Sequence, residues 1–132
     1  MNGRREMAHR ALKRLLANGR LTAVPKRPTD QQLLAALAAS QMDAHRNCLE
    51  SEVNDRLRDW LETISEPFGI DHVTLRRMLV DSGLLTRTSS GSMYRINLER
   101  LEEIDSIREI SPVDVLAEVK NERDLRRRQR AT

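Results

Sequence analysis

The stretch from Asp71 to Asn97 constrains the fold more than any other part of the chain. It opens with a helical pattern in which Leu75, Met78, Leu79 and Ser82 share one side. Thr74, Arg77 and Asp81 lie on the other side, with Arg76 close by. Asp71 supplies an N-cap and Gly83 a left-handed stop. Leu84 to Thr88 and Met93 to Asn97 then alternate as two strands around a loop containing Gly91. Tyr94 and Ile96 would face the core and Arg95 would face outward.

The rest of the chain reads as helices around this unit. Met7, Ala8, Ala11, Leu12, Leu15 and Leu16 recur at helical spacing before an Asn18-Gly19 stop. The opposite face, Arg5, Arg10, Lys13 and Arg14, is either a solvated face or one that lies on a phosphate backbone. Leu21 to Val24 suggests a short strand, and Pro25-Lys26-Arg27-Pro28 an extended linker. Thr29 and Gln32 have capping-box spacing ahead of an alanine-rich helix that carries Leu33, Leu34, Leu37 and Met42 inward. Asp43 to Leu49 reads as a connection. From Glu50 an amphipathic helix buries Val53, Leu57, Trp60, Leu61 and Ile64, and Pro67 and Gly69 end it. The connection Ser65 to Ile70 is longer than a tight helix-turn-helix turn. Leu98, Leu101, Ile104 and Ile107 predict a further helix. Ser111-Pro112 starts the last one, docked by Val113, Leu116 and Val119. Its charged end, Arg126-Arg127-Arg128-Gln129-Arg130, reads as solvated and fraying.

This order predicts a mainly α fold with a small β-hairpin: a winged helix-turn-helix-like domain over residues 30–97. A basic N-terminal helix and proline-containing linker precede it (1–29), and C-terminal helices with a charged tail follow (98–132). In such domains the second helix of the pair enters a DNA groove and the ribbon grips the backbone.

Composition narrows the function classes. The 132 residues suit one small domain with appendages. Trp60, Phe68 and Tyr94 are the only aromatics, so the core is aliphatic and a stacking platform for single strands is not expected. Cys48 stands alone, which excludes an intramolecular disulfide and a cysteine zinc cluster and fits a reducing compartment. His45, Cys48 and Asp43 are too few ligands for structural zinc, so neither metal nor cofactor is expected. Apolar runs such as Leu33 to Ala39 are too short to span a bilayer. The arginines near the N-terminus precede no continuous apolar region, so no secretory signal is read there. The expectation is a cytoplasmic protein with no membrane contact. No glycine-rich phosphate loop, nucleophile elbow or paired-histidine motif occurs, so no catalytic residue is named and an enzyme is not expected.

Charge is unevenly spread. Residues 1–30 hold eight Lys or Arg against two acids, and residues 31–70 hold three against seven. The candidate nucleic-acid contacts are therefore Thr74, Arg76 and Arg77 on the helix, Arg87 and Arg95 on the ribbon, and Lys26 and Arg27 in the linker. The plain alternatives are that Arg77 pairs with Asp81, that Arg76 pairs with an acid of the preceding helix, and that the ribbon is simply a polar hairpin in water.

Four motifs occur in order: Asp-Gln-Gln-Leu-Leu-Ala-Ala-Leu-Ala (30–38), Glu-x-Glu-Val-Asn (50–54), Asp-His-Val-Thr-Leu-Arg-Arg-x-Leu-Val-Asp (71–81), and Gly83-Leu84-Leu85-x-Arg87 with Gly91-x-x-Tyr94. On these the segment 30–96 resembles the prokaryotic family known as domain of unknown function 2087. The chain departs from that pattern at Cys48-Leu49, where an aromatic residue and a Ser or Thr cap are usual. The resemblance implies a winged-helix-like, regulator-associated bacterial domain with no established activity.

The leading expectation is a bacterial DNA-binding transcription regulator. Its rival is a protein-interaction module that shows its acidic helix or charged C-terminal helix to transcription machinery or another protein. RNA binding is a third class, disfavoured by the few aromatics. The apolar stripes of the terminal helices are compatible with a homodimer.

Overall fold

Each helix begins where the backbone finds a partner or does without one. The computed structural model describes residues 3–90 and 92–131, so the expected turn glycine Gly91 lies outside the described residues. Helix α1 spans Gly3–Leu15 and closes through Gly19, whose φ of 109° suits glycine. Helix α2, Pro28–Ala39, starts earlier than the capping-box spacing suggests. Pro28 sits at the first helical position, where a missing N–H costs nothing, and Thr29 falls inside the first turn. Leu34 to Ala39 are all buried, because the alanines let neighbouring backbones come close.

A two-residue strand, β1 (Cys48–Leu49), leads straight into α3 (Glu50–Ile64). Periodicity marks 43–49 only as a connection, since two residues are too few to show a period. The usual side-chain cap is replaced from within α3: the Leu49 N–H donates to the Glu52 carboxylate at 3.1 Å. Val53, Leu57, Trp60, Leu61 and Ile64 are buried as their spacing requires. Helix α4, His72–Asp81, is capped by Asp71, buries Leu75 and Leu79, and stops at Gly83 with φ 79°.

Strands β2 (Leu85–Arg87) and β3 (Met93–Ile96) form the expected antiparallel hairpin, Leu85 opposite Ile96 and Arg87 opposite Tyr94. β1 pairs antiparallel with β3 on its other edge, Cys48 opposite Tyr94, so the sheet order is β1-β3-β2. The fold is mainly helical with this three-stranded antiparallel sheet. The strand expected at Leu21 to Val24 shrinks to one parallel bridge, Leu21 to Ser65. It still matters: the Leu21 N–H donates to the Ile64 carbonyl and the Glu66 N–H to the Leu21 carbonyl, both at 2.8 Å. The arm is thereby stitched to the α3–α4 connection.

A single 3₁₀ turn (Leu98–Arg100) and the short α5 (Leu101–Asp105) precede α6 (Pro112–Ala131). Leu98 is exposed, and Ile104 and Ile107 carry the packing. On α6 Pro112, Val115 and Val119 are buried and Leu116 is partly buried against the core; of the expected set, Val113 alone faces solvent. The core runs without a break from Ala8, Leu12 and Leu16 of the first segment through the central helices to Val115 and Val119. Among the described residues no helix is long and apolar enough to cross a membrane.

Candidate nucleic-acid interface

The open face of α4 begins at its cap. The Thr74 N–H donates to the Asp71 carboxylate at 2.9 Å and the Thr74 hydroxyl to its other oxygen at 2.8 Å. These bonds, the backbone one first, hold the Asp71 carboxyl below the ordinary carboxylate range. Thr74 is thus exposed but already engaged. Arg77 is exposed one turn on and makes no hydrogen bond or ion pair with another described residue, Asp81 included.

Arg76 goes the other way. Its guanidinium donates to the Asn54 side-chain oxygen, pairs with Glu50 at 3.4 Å, and lies 5.7 Å from the Tyr94 ring centre. The Tyr94 hydroxyl donates to the same Glu50 carboxylate at 3.2 Å. Arg87 approaches the Tyr94 ring at 5.8 Å. Tyr94 therefore meets two guanidinium groups, and α3, α4, β2 and β3 are joined by one charged cluster. Such stacking is worth roughly 0.5–2 kcal/mol per cation. The pairing of Arg76 with an acid of the preceding helix, one of the plain alternatives, is what the fold contains. Arg76 and Arg77 do not form one reading surface.

The remaining candidates fall in separate places. Lys26 and Arg27 are exposed just before Pro28, and Pro28 shares a small cleft with Met78, Asp81 and Ser82 at the C-terminal end of α4. This puts the linker's charge beside that end. Arg95 is exposed on the outer side of the sheet, in a shallow recess with His45, Arg46 and Leu98. The hairpin tip carries hydroxyls: Ser90 lies 3.2 Å from Thr88 and 2.8 Å from Ser92. Cys48 is buried and His45 exposed, and no group of three metal-ligating side chains occurs among the described residues.

Two features escaped sequence reasoning. The Tyr94 cluster was written in the family motifs, since Glu50, Asn54, Arg76, Arg87 and Tyr94 each stand in one, but spacing alone could not show that they meet. Phe68, in the α3–α4 connection, is fully exposed and has φ 64°, which is strained for a non-glycine residue. It stands over an open cleft floored by Leu61 and Ile70 and rimmed by Arg58, Glu62 and His72.

A family model described as an uncharacterized protein conserved in bacteria (DUF2087) matches residues 20–96, more than half of the chain. No curated protein and no solved structure matches it.

Proposed function

The chain belongs to the DUF2087 family of uncharacterized bacterial proteins, and from that premise we propose that it is a winged helix-turn-helix DNA-binding regulator acting in the cytoplasm. The observation that carries this reading is the sheet order. Helix, short strand, two helices and a hairpin follow in sequence, and the short strand returns to the hairpin's inner edge. That ties the hairpin to the start of α3, and the contact of Arg76 with the Tyr94 ring sets it beside α4, as in domains where a helix enters a major groove while a wing reaches the backbone.

The roles of the basic residues divide accordingly. Arg77 is the groove-facing contact, since it is exposed and uncommitted. Arg76 and Arg87 act indirectly, by clamping Tyr94 and fixing the wing against α4. Lys26 and Arg27 supply phosphate contacts next to the C-terminal end of α4, and the hairpin hydroxyls do so at the wing. Replacing Arg77 by Ala is expected to lower affinity for duplex DNA by about tenfold or more at low salt, with the circular dichroism spectrum unchanged. Equal affinity of Arg77→Ala and wild type would exclude docking through α4.

The second reading is a protein-interaction module of the same fold, and Phe68 favours it. A fully exposed ring on a strained backbone beside an apolar-floored cleft is typical of an anchor for another protein. If that reading holds, Phe68→Ser abolishes capture of one stoichiometric partner, or dissociates a dimer, and leaves duplex affinity untouched.

A further inference from the structure

The last helix outruns the body on which it packs. α6 lies beside α1 and runs in the same direction: Arg5 pairs with Glu109 at 3.6 Å, His9 with Glu118 at 3.0 Å, and Lys13 with Glu118 and Glu122. Farther along, Arg123 donates to the Ala17 carbonyl at 2.6 Å. α6 then continues to Ala131, about 12 Å farther at 1.5 Å per residue. Beyond Asp124 it carries no acid. Leu125, Arg126, Arg127, Arg128 and Arg130 are all exposed, and these arginines make no hydrogen bond or ion pair with another described residue. Four guanidinium groups within five positions repel one another. The helix dipole offsets only part of this, since its effect is confined to the last turn.

The extension is continuous with a basic cleft on the body. Lys120, Arg123 and Arg127 line one wall and Arg20 the other, with Glu66 and Asp124 as the acids. Glu66 is already held by Arg20 at 3.2 Å. Arg20 also donates to the Glu62 carbonyl in the last turn of α3 at 3.1 Å, and through Glu66 the cleft abuts the connection that leads into α4.

We propose that this ridge is a second nucleic-acid contact, which follows the phosphates of a duplex beside the groove that α4 enters. It rests on the DNA-binding reading above and extends its footprint. Lys120, Arg123, Arg127 and Arg130 fall at i, i+3, i+7 and i+10, on one face. They span about 15 Å, along which one strand of B-form duplex presents about four phosphates. A membrane-surface helix would need a broad apolar face, and from 125 to 131 Leu125 is the one large apolar side chain. The contact is to backbone alone and so independent of sequence.

The test uses the full chain with Arg127 and Arg130 changed to Gln, which keeps helix propensity and length and leaves Arg123 on the Ala17 carbonyl. Binding to a fluorescent random-sequence duplex is followed from about 50 to 200 mM salt. Removing these two phosphate contacts should flatten the slope of log affinity against log salt by about 2. Wild type then loses roughly tenfold more affinity than the variant over that range. Lysine at the same two positions should restore the wild-type slope. Wild-type binding with an unchanged slope in the Gln variant overturns the ridge and leaves the α4 reading standing. No wild-type binding at low salt overturns both, as does binding to anionic phospholipid vesicles without binding to duplex.

Discussion

Replacing Arg76 removes a guanidinium that Asn54, Glu50 and the Tyr94 ring all use. The side chain is 18% exposed, so its loss leaves a half-buried carboxylate and amide short of a donor. Arg76→Ala is expected to cost about 1.5–3 kcal/mol, read as a lower midpoint in urea unfolding with the slope unchanged. Its neighbour behaves oppositely: Arg77→Ala should stay within about 0.5 kcal/mol of wild type in the same experiment. A double replacement would therefore mix a folding defect with a binding defect, and the single variants are the informative ones. Periodicity placed both residues on or near the polar side of the helix. It could not separate them, because Arg76 turns toward a partner 22 residues away on another helix. The acids available to it were visible in sequence. Which of them lay within reach depended on how α3 and α4 cross.

The elements were legible where a local rule decided them. Asp71 as cap, Gly83 as stop, the five-residue apolar stripe of α3 and the hairpin all follow from chemistry within a few residues. β1 and the arm's bridge to the α3–α4 connection were not legible, since each is made by pairing with a distant segment. The start of α2 went to Pro28 instead of the Thr29 cap because a fixed φ suits the first helical position. Two predictions belong here. Because the Asp71 carboxyl titrates below its ordinary range in the folded chain, its stabilisation is full above that range. It is lost as pH falls through the depressed value. Asp71→Asn keeps an acceptor for the Thr74 N–H but has no proton to gain, so thermal melts should show a shallower loss of stability between about pH 5 and pH 2. Glu52 and Glu103 shift the same way, held down by the Leu49 N–H and by Arg100 respectively, so the dependence is reduced and not abolished. The second concerns Gly69. A Cβ there would lie 2.7 Å from the Ser65 hydroxyl oxygen and 3.0 Å from the Glu66 and Leu21 carbonyl oxygens. Gly69→Ala should lower the melting midpoint by several degrees, a cost of about 1–3 kcal/mol.

At the scale of the whole molecule, charge and packing divide the labour. The flanking segments are not loose appendages, since Leu12, Leu16, Val115 and Val119 share one core with the central helices. Ion pairs along α1 and α6 absorb much of the charge that composition alone left unassigned: Lys13 is spent on Glu118 and Glu122, and Arg14 on the buried Asp30. Of the basic groups left exposed and unpaired among the described residues, which also include Arg10 and Arg95, those at Arg77, in the linker and along the end of α6 are the ones assigned to DNA. The net charge of +3 does not show this, because it sums over the whole chain, whereas the end of α6 carries four arginines and no acid beyond Asp124. The central claim is that these groups meet nucleic-acid phosphates. It is tested most directly by titrating the purified full chain against a fluorescent random-sequence duplex across a salt series. Tight binding at low salt that weakens as a steep power of salt concentration is the expected result. No binding at low salt would contradict it and turn attention to the protein surface around Phe68.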